Sequence, residues 1–96
     1  MKTIKLRPWD SAEHLKMEEE KIHYLEACLE EGDAALVARA LGVIAKARSM
    51  TLLARDTGLS RESLYKALSG EGNPEFTTVM KVVKALGFRL HVAPVA

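Results

Sequence analysis

The chain has 96 residues, of which 48% are hydrophobic, and its formal net charge is +1. This length fits one domain with a hydrophobic core. It contains no apolar run near the roughly 18 residues that a membrane-spanning helix needs, and its first residues do not have the pattern of a secretory signal. It has a single cysteine, which excludes an internal disulfide. These features predict one soluble domain, residues 1–96, in a reducing cytoplasm.

The charge is divided unevenly along the chain. Residues 1–32 hold five Lys or Arg and eight Asp or Glu, whereas residues 33–96 hold nine and five. The first segment therefore carries −3 and the second +4. A basic segment suits a polyanion, whereas an acidic one suits water or a basic partner.

The first residues predict a short strand and then a short helix. Residues 3–6 alternate polar and apolar side chains, which is the period of a strand, and Pro8 ends the pattern. Asp10 and Glu13 have the spacing of a capping box at a helix N-terminus. We therefore expect a short helix to begin near Asp10, before a longer one.

Two longer helices follow. The first is expected over about residues 18–31, because its apolar residues form one stripe, and Gly32 ends it. Asp33 then has the character of an N-cap for a helix that reaches about Ala47. Gly42 within it lowers helix stability but permits close packing. The two apolar stripes are Ile22, Leu25, Cys28 and Leu29, and Val37, Ala40, Leu41 and Ile44.

The second half predicts three short helices and a terminal strand. The helices are expected at residues 50–57, 61–68 and about 75–86, and Gly87 closes the last. Residues 88–92 alternate apolar and polar side chains, which predicts a strand. The fold class is therefore all-α, a bundle of five to six helices with short terminal β-strands. Its parts are an N-terminal strand and helices (residues 1–48), a helical core (49–87) and a C-terminal strand and tail (88–96).

The stretch from Met50 to Leu68 has the pattern of a helix-turn-helix. Two helices that cross at a steep angle need a small residue where they approach, and Ala54 supplies it. Gly58 tolerates the positive φ of the turn, Leu59 anchors the turn in the core, and Ser60 is a suitable N-cap for the second helix. The shared apolar interface is formed by Leu53, Leu64 and Leu68.

The polar face of the second helix is the candidate DNA-reading surface. Arg61 lies in its first turn, the part of a recognition helix that meets base edges. Arg can bond guanine, and Glu62 can accept from cytosine. The loop at residues 70–73 leads into a helix whose free N–H groups could hold a phosphate. The candidate DNA-binding residues are Ser60, Arg61, Glu62, Tyr65, Lys66, Ser69 and Asn73.

No set of residues indicates an enzyme or a metal site. His14, His23 and His91 do not form a spaced ligand set with Cys28. The sequence has one Glu-x-x-His spacing, at Glu20, whereas a di-iron bundle needs two such motifs and further carboxylates. A lone thiol without a nearby base is more often a core filler than a nucleophile. We expect no catalytic residue, no metal and no cofactor. Two other interpretations of the helix-turn-helix pattern remain open: a chance pattern in a helical bundle, and a motif that binds protein only.

Residues 49–87 resemble the helix-turn-helix of Cro/C1-type (XRE) repressors, which have the lambda-repressor-like fold. Over nearly the whole chain, the sequence is similar to addiction-module antidote proteins, the antitoxins of type II toxin–antitoxin modules. This resemblance implies a RelE/ParE-like toxin encoded beside the chain, binding to double-stranded operator DNA, and autorepression. The stretches that carry it are residues 9–10, 24–33, 40–42, 50–51, 59–69 and 72–74.

A second copy of the chain is also an expected partner. One motif reads only a few base pairs, so such regulators pair two copies on a near-palindrome, and strands with open edges invite pairing. We expect a homodimer in which Phe88, Leu90 and Val92 contribute to the interface. The terminal strands could instead pair within one monomer, or the C-terminal strand could pair with the toxin. The alternative function is a protein-interaction module that masks a partner with little or no DNA binding.

Overall fold

The computed structural model describes residues 12–95, with side chains from Glu18 onward. In this part of the chain the secondary structure consists of five α-helices and no strand. None of these helices is long and apolar enough to cross a membrane. The predicted all-helical bundle is confirmed for the described residues. The helices are α1 (Ala12–Glu31), α2 (Ala34–Arg48), α3 (Met50–Thr57), α4 (Arg61–Ala67) and α5 (Phe76–Ala85).

Among the described residues before Gly32, one long helix replaces the short helix and the longer helix that were expected there. α1 runs without a break from Ala12 to Glu31, because this stretch has no glycine or proline and is rich in Glu, Leu and Lys, which favour a helix. The prediction of a separate short helix is therefore wrong for the described residues, and its expected first residue, Asp10, lies outside them. The predicted end is confirmed, since Gly32 follows the last helical residue with a φ of +72°.

α2 begins at the predicted cap. The Asp33 carboxylate accepts hydrogen bonds from the backbone N–H groups of Ala35 at 3.0 Å and Leu36 at 3.3 Å. These bonds satisfy two of the four amides that a first helical turn leaves unpaired. After Arg48, the single residue Ser49 is both the C-cap of α2 and the N-cap of α3. The chain direction therefore changes within one residue.

The core forms where the helices meet. α1 packs on α2, α5 packs on α2 and α3, and α4 packs on α3. Full burial of a large apolar side chain contributes about 1.5–3 kcal/mol. The predicted apolar stripe of α2 is buried or half-buried at every position. The stripe of α1 is buried only at Leu25 and Cys28, whereas Ile22 and Leu29 are 39% and 43% exposed. The core residues are Leu25, Cys28, Ala40, Leu41, Ile44, Ala45, Met50, Leu53, Leu64, Leu68, Val82, Val83 and Leu86.

Gly42 allows α2 to approach the end of α4. It is buried, and a Cβ at this position would lie 2.8 Å from the carbonyl oxygen of Leu68 and 3.3 Å from its Cβ. Carbon atoms prefer separations of about 3.5–4.0 Å, so a larger side chain would push the two segments apart. The expected role of Gly42 in close packing is confirmed. Since Leu68 is the C-cap of α4, this contact holds α4 against the core.

The C-terminal segment does not form the predicted strand. α5 ends in a Schellman motif, in which Gly87 has a φ of +85° and the N–H groups of Gly87 and Phe88 donate to the carbonyls of Lys84 and Val83, both at 3.0 Å. Residues 88–95 then continue without secondary structure. A strand needs a neighbour for its backbone groups, and the described chain provides none. The strand expected at residues 3–6 lies outside the described residues.

Arg48 joins three segments of the fold. Its Nη1 donates to the carbonyl oxygen of Leu86 at 2.6 Å, and its Nη2 donates to Oε2 of Glu18 at 2.7 Å. Its guanidinium carbon also lies 5.6 Å from the centroid of the Phe88 ring. Partial burial alone would raise the pKa of Glu18, but the hydrogen bonds and charges of Arg48 and Lys21 outweigh it and hold that pKa below its ordinary value. α1, α2 and the end of α5 are thereby tied together.

Candidate nucleic-acid interface

α3 and α4 form a two-helix unit with the predicted turn. α3 ends at Thr57, and Gly58 follows in the left-handed region with a φ of +74°. The N–H of Gly58 donates to the carbonyl of Ala54 at 2.9 Å. Residues 58–60 join the two helices, a length typical of a helix-turn-helix. Leu59 and Ala54 pack against the core, so the predicted positive φ and core anchor of the turn are both confirmed.

Thr57 fixes this turn, a role that the sequence analysis missed. Its side chain is buried, and its hydroxyl donates to the carbonyl of Leu53 at 2.8 Å. The same hydroxyl accepts from the N–H of Leu59 at 3.3 Å. One side chain therefore links the last turn of α3 to the connection. The available signal was a threonine directly before the turn glycine, because threonine hydroxyls often bond to nearby backbone groups.

α4 has one face in the core and one in solvent. Leu64 and Leu68 are buried, at 0% and 6% exposure, and they lie one helical turn apart. The cap at Ser60 is confirmed, since its hydroxyl oxygen accepts from the N–H of Ser63 at 3.0 Å. The structure brings six of the seven candidate residues together along the exposed side of this short segment. They are Ser60, Arg61, Glu62, Tyr65, Lys66 and Ser69.

The two serines of this set have backbone partners already. The hydroxyl of Ser60 caps α4 and also donates to the hydroxyl of Ser63 at 2.8 Å. At the other end of the helix, the hydroxyl of Ser69 donates to the carbonyl of Lys66 at 2.9 Å and accepts from the N–H of Glu71 at 3.2 Å. These two side chains therefore shape the ends of α4, whereas the four longer side chains extend from it.

Lys46 lies beside this surface and was not singled out from the sequence. Its ammonium is 5.7 Å from the centroid of the Tyr65 ring, a cation–π contact between α2 and α4. Both side chains are exposed. Lys46 lies about 20 residues before Tyr65, so the sequence offered only a basic residue in the last turn of α2 as a signal. With Arg61 and Lys66, it gives the surface three cations against the single carboxylate of Glu62.

Asn73 lies on a different surface from the other candidates. It is exposed, but it lines an open apolar groove of about 360 Å³ between α1, α2 and α5. The first turn of α5 has no side-chain hydrogen bond at its cap residue, Glu75, so its amides remain open to another partner. The apolar groove is lined by Leu25, Leu29, Gly32, Ala34, Val37, Ala38, Leu41, Asn73, Pro74, Phe76, Val79, Val83 and Leu90.

The described residues contain no group of three or more His, Cys, Asp or Glu side chains that could hold a metal ion. Cys28 is 3% exposed and packs in the core, as expected of a core filler.

The exposed side of α4 offers hydrogen-bond donors, one carboxylate and an aromatic ring. These groups can contact base edges and phosphates.

The comparisons with known proteins assign the chain to a family. The sequence pattern of the family described as "Probable addiction module antidote protein" matches residues 5–94. The chain belongs to this family. A protein from Haemophilus influenzae, described as "Uncharacterized protein", is 56% identical over 90 residues, which cover 94% of this chain and 93% of that protein. No solved structure matches the chain.

Membership of the antidote family implies a cognate toxin as a partner. The antitoxin part of the resemblance inferred from the sequence is thereby confirmed. The Cro/C1 type of the helix-turn-helix, binding to operator DNA and the RelE/ParE-like class of the toxin stay predictions.

Proposed function

We propose that this chain is a cytoplasmic antitoxin that neutralises a RelE/ParE-like toxin and represses its own operon by binding operator DNA through α3 and α4. In this proposal the bundle is of the lambda-repressor-like type, and α4 is the recognition helix. The observation that supports DNA binding best is the polar face of α4, exposed on a helix whose opposite face is anchored by Leu64 and Leu68. A B-DNA major groove, about 12 Å wide, admits one such helix.

Each long side chain on this face has a defined chemistry toward DNA. Arg61, in the first turn, offers two parallel donors to O6 and N7 of guanine, and Glu62 can accept from N4 of cytosine. Lys66 and Lys46 supply charge for phosphates, which position a protein without reading sequence. Tyr65 belongs to α4, and its ring keeps the ammonium of Lys46, which belongs to α2, near α4. Base contacts therefore come from the start of α4, and phosphate contacts come from its flank.

Two copies of the chain complete the proposed repressor, because one short helix reads only a few base pairs. Phe88 is half-buried and packs against the core of its own chain. Leu90 and Val92 are exposed, at 37% and 91%. Leu90 also lines the apolar groove between α1, α2 and α5, so we propose that Val92, rather than Phe88 or Leu90, forms the interface between copies. A truncation that ends at His91 keeps Leu90 and the Schellman motif of α5, so it tests this role by sedimentation without disturbing the helix.

The second candidate function is a protein-interaction module that masks its partner with little or no DNA binding. The open apolar groove between α1, α2 and α5 favours it, because an exposed apolar surface is typical of a protein-binding site. This function also agrees with membership of the antidote family, since an antidote needs only its toxin. The two candidates differ in whether α4 contacts DNA.

A gel-shift titration distinguishes them. The full chain is titrated against the DNA upstream of its own gene and against a shuffled duplex of equal length and base composition. We expect a specific shift that Arg61→Ala weakens by about 1–3 kcal/mol, the value of a bidentate guanine contact. Arg89→Ala makes the same change in the exposed tail and should leave the specificity unaltered. No shift, or only a weak shift that is the same for both duplexes, would favour the interaction module.

A further inference from the structure

The apolar groove leaves large side chains in contact with water. Leu29 of α1, Phe76 of α5 and Leu90 of the tail are 43%, 69% and 37% exposed around it. Its floor is closed by the buried Leu41 and by Ala38 of α2. An open, preformed cleft of about 360 Å³ with apolar walls is the kind of surface that receives side chains of another molecule.

A row of carboxylates lies along α1, the helix that supplies Leu25 and Leu29 to the groove. Glu19, Glu26 and Glu30 are separated by seven and four residues, so they share one face of the helix. At about 100° per residue, this face adjoins the one that carries Ile22 and Leu29. All three carboxylates are exposed, and none forms an ion pair with a side chain that the structure describes. We name these three residues the acidic row.

The negative charge is concentrated on the α1 side of the groove. Residues 18–32 hold six Glu and one Lys, a net charge of −5, whereas α5 and its N-cap carry Glu75, Lys81 and Lys84, a net charge of +1. An apolar cleft with one acidic rim is complementary to an apolar protein surface with Lys or Arg on the matching side. A second copy of the chain would bring another acidic α1, and in the proposed function its Arg61 and Lys66 contact DNA. The charge therefore favours a basic protein over self-association.

We propose that the apolar groove and the acidic row together form the surface that docks the toxin, and that the toxin presents apolar side chains flanked by Lys or Arg. This inference rests on the proposed function, which supplies the toxin as a partner. Of the seven candidate DNA-binding residues, only Asn73 lines the groove. Toxin docking and DNA reading therefore use different surfaces, so one chain can hold both partners at once.

The test measures affinity for the protein encoded by the reading frame adjacent to this gene, purified and titrated by calorimetry against the full chain. Phe76→Ser removes an exposed groove side chain, and Val43→Ser removes one that is 56% exposed and lies outside the lining of the groove. We expect Phe76→Ser to weaken binding at least tenfold, as loss of a central apolar contact does, and Val43→Ser to leave it within about twofold.

Charge reversal tests the acidic row separately. Glu26→Lys and Glu30→Lys should each weaken binding several-fold, mainly by slowing association, and the effect should shrink at high salt. Glu71→Lys makes the same change at an exposed loop residue outside the row and should have little effect. Circular dichroism and the operator gel shift show that each variant is folded.

The outcomes separate this inference from the proposed function. If the wild-type chain does not bind the adjacent protein, both are overturned. Wild-type binding that survives both Phe76→Ser and the reversals in the acidic row overturns only the docking surface. Sedimentation could also show that Phe76→Ser turns a dimer into a monomer while the variant still binds the toxin. That result would assign the groove to a second copy and would overturn the toxin-docking surface. Loss with Phe76→Ser, Glu26→Lys and Glu30→Lys, but not with the controls, supports it.

Discussion

Replacement of Gly42 by alanine tests whether α2 and α4 meet at this residue. Alanine favours a helix interior over glycine by about 1 kcal/mol, so the change would stabilise an exposed position. Here the new methyl group would lie 2.8 Å from the backbone oxygen of Leu68, which cannot rotate away as a long side chain can. Overpacking of a core costs about 1–3 kcal/mol. We therefore expect a net loss of about 1 kcal/mol, or roughly 4–8 °C in Tm for a domain of this size.

The matched comparison uses Val43, the next residue of the same helix, which is 56% exposed. Val43→Ala and Val43→Gly differ in helix propensity alone, and urea unfolding followed by circular dichroism should separate them by about 1 kcal/mol in favour of alanine. Subtraction of this difference from the effect of Gly42→Ala isolates the cost of the contact. A Gly42→Ala protein that gains the full propensity difference would refute the close approach of α2 to Leu68.

Three further predictions concern the candidate DNA-binding surface on α4, the turn between α3 and α4, and the ion pair of Glu18 with Arg48. Lys66→Ala should weaken binding to all DNA alike and reduce the slope of log K against log salt by about 0.9, as measured by fluorescence anisotropy at several salt concentrations; a sequence-selective loss would place Lys66 on a base. Thr57→Val should cost about 1–3 kcal/mol in urea unfolding, because the amide of Leu59 loses its acceptor, and unchanged stability would contradict this role. Glu18→Gln should destabilise the fold slightly at neutral pH. Arg48 helps to hold the pKa of Glu18 below its ordinary value. The ion pair therefore stabilises the fold at a pH above that ordinary pKa, and this stabilisation is lost as the pH falls through the lowered pKa. A difference in stability between Glu18→Gln and wild type that persists in acid would rule out the ion pair as its source.

The stops and starts of the helices were largely predictable because they depend on neighbouring residues. The Asp33 cap, the Ser60 cap and the positive φ of Gly58 each arise from one side chain, or its absence, acting on a backbone group a few residues away. The amphipathic pattern of α4 likewise followed from the 3.6-residue helical period. The candidate DNA-reading face could therefore be inferred from residues 60–69 alone.

The sequence was least informative where distant segments had to meet. Alternating residues 88–92 have the pattern of a strand, yet a strand depends on a partner backbone, which the described chain does not provide. Asn73 stays a predicted DNA contact, and its position at the apolar groove follows from the packing of α5 on α2, which its loop sequence does not contain. The hydrogen bonds of Arg48 to Glu18 and Leu86 join residues 30 and 38 positions apart.

The sequence by itself determined the ends of most helices, the turn between α3 and α4 and the polar face of α4, since these depend on interactions within one or two helical turns. Only the tertiary structure decided that Ile22 and Leu29 stay exposed, that Lys46 joins Tyr65, and that an apolar groove opens beside the carboxylates of α1. Exposure is the property of an assembled surface. The same apolar stripe is buried at Leu25 and open at Leu29 because burial depends on which other helix reaches each position, and a local pattern does not contain that information.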